Sequence, residues 1–399
     1  METLESALLL LTEHVHPVAQ TEQLPLGAAL GRVCAQEVAS PMDVPPFDRS
    51  PLDGYALHSA DIALASRENP AMLTVIGEAC AGCGERFAVA RGQALRIMTG
   101  APVPPECDCV IRQEDTDEGM ETVRVYAPVG AGKNICRAGE DVPRGAAMAQ
   151  PGEVITSAHI GVLASLGVTE LEVYRRVRVA LLATGDELAQ PGEMLAFGQI
   201  FDSNRAVLTA RLAELGVQAN VLPSCADEPQ AVADALIRAA READVLITTG
   251  GVSVGKKDVM HRVLPLMGAH RLFWKVAMKP GSPLLCAQYE GRPVICLSGN
   301  PFAALACFEV FAVPVLRRLG GWADWQMRRV RARLCGGFGK ASPGRRLIRA
   351  RVEGGCAYLT GSNHSSGSLA EMIGCNALID IPAGSGPLGD GDDVEVLLL

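Results

Sequence analysis

Between residues 177 and 326 the apolar positions keep a strand–helix–strand rhythm. The run VRVALLATG predicts a buried strand. DSNRAVLTARLAELG follows as a helix. Leu208, Leu212 and Leu215 share one face, Asp202 or Ser203 stands where an N-cap belongs, and Gly216 lies just past the end. VQANVLPS reads as the next strand, EPQAVADALIRAAREA as a helix with Pro229 in its first turn, and DVLITTGG as a third strand. Helices of this length between strands predict right-handed crossovers and a doubly wound parallel sheet. The rhythm continues through RLFWKVAMKPG, PLLCAQ, PVICLSGNP and a long helix near Phe302–Leu319.

The flanks read differently. Residues 1–43 predict a helix, with Glu5, Ala7 or Leu8, Leu11 and Val15 at its spacing. A turn at Leu24–Gly27, a second short helix and an extended segment ending at Pro41 follow. Residues 44–140 are rich in Gly and Pro, with short runs such as MLTVIGEA, ALRIMTG and TVRVYAPV, which predicts a small β-rich domain. Residues 141–176 contain a helix, VITSAHIGVLASLG, ended by Gly167. Residues 327–399 return to short β-like runs between Gly/Ser turns, as in a small barrel or sandwich.

Composition narrows the function. The 399 residues are 48% hydrophobic and 20% charged, a globular balance long enough for several domains. Aromatics are 4% and the formal net charge is −9, which argues against nucleic-acid binding. No run is long enough for a membrane span or shaped like a signal peptide. The 13 cysteines are odd in number and scattered through apolar segments, the usage of a reducing, cytoplasmic protein. Cys80 and Cys83 form C-x-x-C, but Cys107 and Cys109 have a poor chelating spacing, so buried thiols are favoured over a zinc site. Arg328, Arg329, Arg331, Arg333, Lys340, Arg345, Arg346, Arg349 and Arg351 fall in a stretch without Asp or Glu, which predicts a local positive surface.

In an open α/β sheet, ligands bind beyond the carboxyl ends of the strands. There the sequence places Thr184, Gly185, Asp186 and Glu187, then Ser224 and Asp227, then TTGGVSVGKKD with Gly250, Gly251, Ser253, Gly255 and Asp258. Later strands deliver Lys275, Lys279 and SGNP, with Ser298, Asn300 and Pro301. Glycines and successive amides cradle phosphate oxygens, carboxylates hold Mg²⁺, and lysines balance anionic charge. Each residue also has a plainer role. Asp258 and Asp227 suit helix N-caps, Asp186 and Glu187 a helix dipole, and the lysines a solvated surface. Their convergence on one rim favours a phosphorylated anion with a divalent metal. No Ser or Thr follows the Gly-Lys of GGVSVGKKD, so the P-loop pattern is absent.

Nine segments occur in the order of a known family: PPFDRSPLDGYAL, GEACAG, RIMTGAPVP, RAGEDVPRG, TGDEL, IFDSN, TTGGVSVGKKD, WKVAMKPG and LSGNP. The set resembles molybdopterin molybdenumtransferase, the MoeA and gephyrin E-domain family, over essentially the whole chain. The resemblance implies an elongated homodimer. It also implies a multidomain α/β fold: a doubly wound molybdopterin-binding domain (177–326), a β-rich domain (44–140), an extended linker domain (1–43 and 141–176) and a C-terminal β-barrel (327–399). The implied activity is Mg²⁺-assisted insertion of molybdate into adenylylated molybdopterin, with AMP released. Asp53, Thr99 and Asp141 would reach the partner subunit's site. Glu187, Asp227 and Asp258 would serve metal and nucleotide. Lys275 and Lys279 would hold phosphate or molybdate, with Arg349 or a neighbour and Ser365 or Ser366 from the barrel.

Three positions depart from the family pattern. Ser282 stands for the second lysine of Lys-Pro-Gly-Lys-Pro, Ser298 for the first proline of PGNP, and Ala303 for a serine. Ser282 bears on the molybdate site. The rival readings are a molybdopterin adenylyltransferase, which shares the 177–326 domain and acts upstream, and an inactive or variant paralogue serving as a pterin-nucleotide-binding scaffold.

Overall fold

The computed structural model describes residues 1–82, 84–252 and 259–399. The N-terminal part carries helix α1 (Leu4–Thr12), strands β1 (Thr21–Pro25) and β2 (Val38–Ala39), and then β3 (Gly54–Leu57), β4 (Ala71–Ala79), β5 (Gln93–Ile97), β6 (Cys109–Arg112) and β7 (Thr122–Val125). It closes with β8 (Ala147–Ala149), α2 (Ser157–Ser165) and β9 (Glu170–Tyr174). Strands β3 to β7 form one five-stranded sheet in the order β6-β3-β5-β4-β7. Its two faces bury Cys109 and Cys107 respectively, and burial pushes both thiols up to about 12. Helix α2 starts at a reciprocal cap between Thr156 and His159, and the chain leaves it through Gly167, at φ +74°.

Local pattern misled in two places. The expected turn at Leu24–Gly27 is the end of β1 running into a single 3-10 turn at Leu26–Ala29, which also replaces the expected second helix. Strand β1 exists because it pairs antiparallel with β9, far along the chain. Helix α1, grouped by sequence with the linker domain, buries Leu4, Ala7 and Leu11 in the core of the α/β domain instead.

That domain contains β10 (Arg178–Ala183), β11 (Leu188–Ala189), β12 (Ile200–Phe201), α3 (Ser203–Glu214), β13 (Gln218–Val221), α4 (Pro229–Ala240) and β14 (Val245–Thr249). It continues with α5 (Met260–Met267), β15 (His270–Trp274), β16 (Met278–Lys279), β17 (Leu285–Tyr289), β18 (Arg292–Leu297), α6 (Pro301–Cys307) and α7 (Val313–Leu319). The main sheet runs β13-β10-β14-β18-β17-β15. Its first four strands are parallel, as the crossovers require, whereas β17 is antiparallel to both its neighbours. Side chains alternate between two cores. Val179 and Leu181 face α1, α3 and α6, while Ala180 and Leu182 face α4 and α5. A π-turn at Phe308–Ala312 joins α6 to α7. Pro314, just beyond it, has no amide hydrogen to continue an α-helical ladder.

The last domain has β19 (Arg329–Cys335), β20 (Arg345–Glu353), β21 (Cys356–Leu359), β22 (Ala377–Ile381) and β23 (Asp393–Leu398). The order β20-β21-β19-β23-β22 closes through a β20–β22 pairing, so this is a barrel and not a sandwich. The two-residue strand β16 pairs with the start of β20, Lys279 opposite Arg346, and ties the α/β domain to the barrel.

Candidate active site

The carboxyl ends of β10, β14 and β18 open into a cleft of about 630 Å³. Thr184, Glu187, Asp227, Gly250, Gly251, Ser298, Asn300 and Pro301 line it. Helix α3 starts at the same place because Asp202 caps it, accepting from the Arg205 amide at 3.0 Å. Asn204, in the first turn, then stitches the strand ends together. Its Nδ2 donates to Thr249 Oγ1 and to the Gly299 carbonyl, each at 2.8 Å, and Thr249 Oγ1 donates to the Ser298 carbonyl at 3.0 Å. Both amide hydrogens are thereby used. Asn204 Oδ1 and Thr184 Oγ1 are buried beside the cleft without a partner among the described residues. Gly250 is required: at φ +97°, a Cβ there would lie 2.2 Å from the Thr184 carbonyl oxygen. Glu187 folds back so that a Cβ on Gly185 would meet both its carboxylate oxygens at 2.9 Å.

A second cavity, about 350 Å³, lies between the α/β domain and the barrel and shares Pro283, Ser298 and Asn300 with the cleft. Its wall carries Lys279, Arg346, His364, Ser282 and Ser366 and, among the described residues, no carboxylate. Arg346 has a buried Nε without a partner among the described residues, and its guanidinium lies 5.4 Å from the centre of the Phe338 ring. Desolvation of the half-buried His364 ring lowers its pKa, an effect the nearby Arg349, Lys340 and Arg346 reinforce and Glu371 opposes. A basic, hydroxyl-lined wall in an acidic protein suits a small anion.

The structure thus brings Glu187, Asp227, Gly250, Gly251, Ser298, Asn300 and Pro301 to one cleft, and Lys279, Ser282 and Ser366 to its neighbour. Other expected residues stand elsewhere. Arg349 is 1% exposed and does not face the anion cavity. It bonds to the carbonyls of Asn363 (2.6 Å) and Ser368, pairs with Glu371 at 2.9 Å and stacks 4.2 Å from the Phe302 ring. It brackets the 363–371 loop onto α6, and Arg346, on the same strand, is the arginine in the cavity wall. Ser365 caps its own loop through Gly367. Lys275, at φ +72°, lays its ammonium 4.2 Å from the Trp274 ring, outside both cavities. Asp53 and Thr99 are joined to each other in the β-rich domain. The Thr99 amide and hydroxyl donate to Asp53 Oδ1 at 2.7 and 2.8 Å and hold its carboxyl below the usual range. Neither they nor Asp141 line the two cavities. Ser253, Gly255 and Asp258 lie outside the described residues.

The expected positive surface is partly neutralised. Arg329 and Arg345 both reach Asp380, Arg345 also pairs with Glu5, and Arg351 with Glu353. Glu5 and Asp380 come from other segments, which a linear charge count does not see, whereas Glu353 ends the same strand as Arg351. For a metal, the cleft offers the hard carboxylates Glu187 and Asp227, its third acid, Asp202, being taken up by the α3 cap and Arg205. Among the described residues no group of three or more potential ligands forms. Two carboxylates suit an ion that takes its remaining ligands from phosphate and water. Sequence reasoning gave no role to Asn204, although it lies in the IFDSN segment. The signal was an amide one turn into a helix that begins at the carboxyl edge of a sheet.

Comparison with known proteins decides the family. Three family descriptions match in succession: "MoeA N-terminal region (domain I and II)" over residues 2–167, "Probable molybdopterin binding domain" over 180–318 and "MoeA C-terminal region (domain IV)" over 331–399. Molybdopterin molybdenumtransferase 2 of Mycobacterium tuberculosis is 35% identical over 94% of each chain. The chain belongs to the molybdopterin molybdenumtransferase, or MoeA, family. A molybdopterin molybdenumtransferase of Staphylococcus aureus is 33% identical over 94% of this chain and 90% of its own. The solved molybdopterin biosynthesis MoeA protein of Pyrococcus horikoshii OT3 superposes with a TM-score of 0.87 over 100% of both chains, at 28% identity. The fold is therefore the MoeA fold throughout, and both cavities lie within its matched regions.

Proposed function

We propose that this protein inserts molybdenum, delivered as molybdate, into the dithiolene of adenylylated molybdopterin, releasing AMP and forming molybdenum cofactor. One observation carries the reading. A cleft large enough for a nucleotide, edged by glycines, hydroxyls and carboxylates, shares a wall with a smaller basic cavity. The first suits a phosphorylated pterin nucleotide and the second a tetrahedral oxyanion, side by side. Glu187 and Asp227, with Asp258 as the third proposed ligand, would hold Mg²⁺, whose charge eases build-up of negative charge on phosphoryl oxygens. Lys279 and Arg346 balance the oxyanion, and Ser282 and Ser366 donate to its oxygens. Ser298 and Asn300, on the shared wall, set the two ligands against each other, so catalysis is mainly positioning and electrostatics. The adenylyltransferase reading is not favoured, because the basic cavity depends on the barrel's Arg346, His364 and Ser366.

Asp53, Thr99 and Asp141 lie away from both cavities, and we propose that they complete the site of a second copy in a homodimer. The upstream adenylyltransferase is the proposed protein partner. A cytoplasmic location fits the cysteine usage, and no helix among the described residues is long and apolar enough to cross a membrane. The test is to give the purified protein adenylylated molybdopterin, Mg²⁺ and molybdate, then follow AMP and activation of an apo-molybdoenzyme. Molybdate-dependent AMP together with active cofactor is expected. Tight nucleotide binding without molybdate-dependent AMP would favour the scaffold reading.

A further inference from the structure

We infer that Phe201 is the stacking platform for a heteroaromatic ring of the bound nucleotide. This deepens the reading proposed above and rests on it. Phe201 is the one aromatic side chain among the described residues that line the cleft. It is 43% exposed and belongs to none of the apolar core clusters. Its backbone, by contrast, is held on both sides. Phe201 pairs with Ala189 in the β11–β12 ladder. The next residue, Asp202, donates its amide to the Ala189 carbonyl at 3.2 Å and caps α3 with its buried carboxylate. The fold therefore fixes a large apolar ring in the cleft wall, and the described residues leave it 43% exposed.

Ile200, 56% exposed, and Leu188 line the same cleft, so it carries apolar side chains besides the ring. The same cleft is lined by Gly250, Gly251, Ser298 and Asn300. An exposed aromatic ring and anion-binding groups in one cleft match a flat ring carried on a phosphate chain. Adenine and pterin share that chemistry, and the test separates them.

Wild-type, Phe201→Leu and Phe201→Trp proteins are titrated with adenylylated molybdopterin, molybdopterin and AMP, and their sedimentation is recorded. Phe201→Leu is expected to weaken adenylylated molybdopterin on the order of tenfold, while Phe201→Trp stays within about threefold of wild type. A matching loss with AMP alone assigns the ring to adenine, and a matching loss with molybdopterin alone assigns it to pterin. Unchanged binding by Phe201→Leu, in a protein whose wild type binds the nucleotide, overturns the inference and leaves the proposed function standing. A loss that accompanies altered self-association in both variants overturns it in favour of a second copy covering the ring. Failure of the wild type to bind any of the three ligands overturns the cleft reading and this inference together.

Discussion

Gly250 shows how tightly single residues set this site. It carries the chain from β14 past Thr184 at a positive φ and at a distance no side chain tolerates. Gly250→Ala is expected to cost about 3 kcal/mol of folding stability in a urea titration, through strain and a backbone clash together. Equal urea midpoints for variant and wild type would contradict this. The glycine was legible in the sequence because TTGG follows a strand. Which of Arg349 and Arg346 lines the barrel-side cavity was not, because both sit in one arginine-rich run and only barrel closure shows which is buried. Arg349→Ala is expected to cost about 3 kcal/mol, since it leaves Glu371 and two loop carbonyls without their shared donor. An Arg349→Lys protein should recover only part of that, because an ammonium lacks the planar fork.

At the scale of elements, periodicity read the crossover helices and parallel strands well. Leu208 and Leu212 fall where a 3.6-residue repeat puts them, Asp202 caps the helix, and Gly216 ends it. What periodicity missed depended on distant partners. Strand β1 needs β9, and α1 needs the α/β core, so neither assignment is written locally. Strand β16 is the extreme case. Two residues long, it pairs with β20 and brings Lys279 into the same cavity wall as Arg346. The barrel-side cavity is therefore a product of domain docking, whereas the cleft is built mainly within the α/β domain.

For the whole molecule, the linker and the α/β domain are clamped by Asp244. Arg175 grips it through two bonds of 2.7 Å, and the Arg178 amide donates to it at 2.8 Å. Burial alone would raise the Asp244 pKa, but the Arg175 and Arg178 bonds outweigh it and the net direction is down. A depressed folded-state pKa means that this stabilisation is complete above the unfolded carboxylate value of about 3.9 and is lost as pH falls through the lower folded value. Asp244→Asn is accordingly expected to cost about 3 kcal/mol at pH 7. It should also flatten part of the stability loss below about pH 4, as read by thermal unfolding across pH. An unchanged acid limb would remove Asp244 from that role.

The central claim is a division of labour, nucleotide in the cleft and oxyanion in the barrel-side cavity. The most direct measurement is the molybdate dependence of AMP release by Arg346→Ala, made alongside the affinity of the same protein for adenylylated molybdopterin. The account predicts that half-saturating molybdate rises about tenfold or more while nucleotide affinity holds, the loss expected for one charge-assisted contact. Unchanged molybdate dependence, or an equal loss of nucleotide affinity, would contradict it.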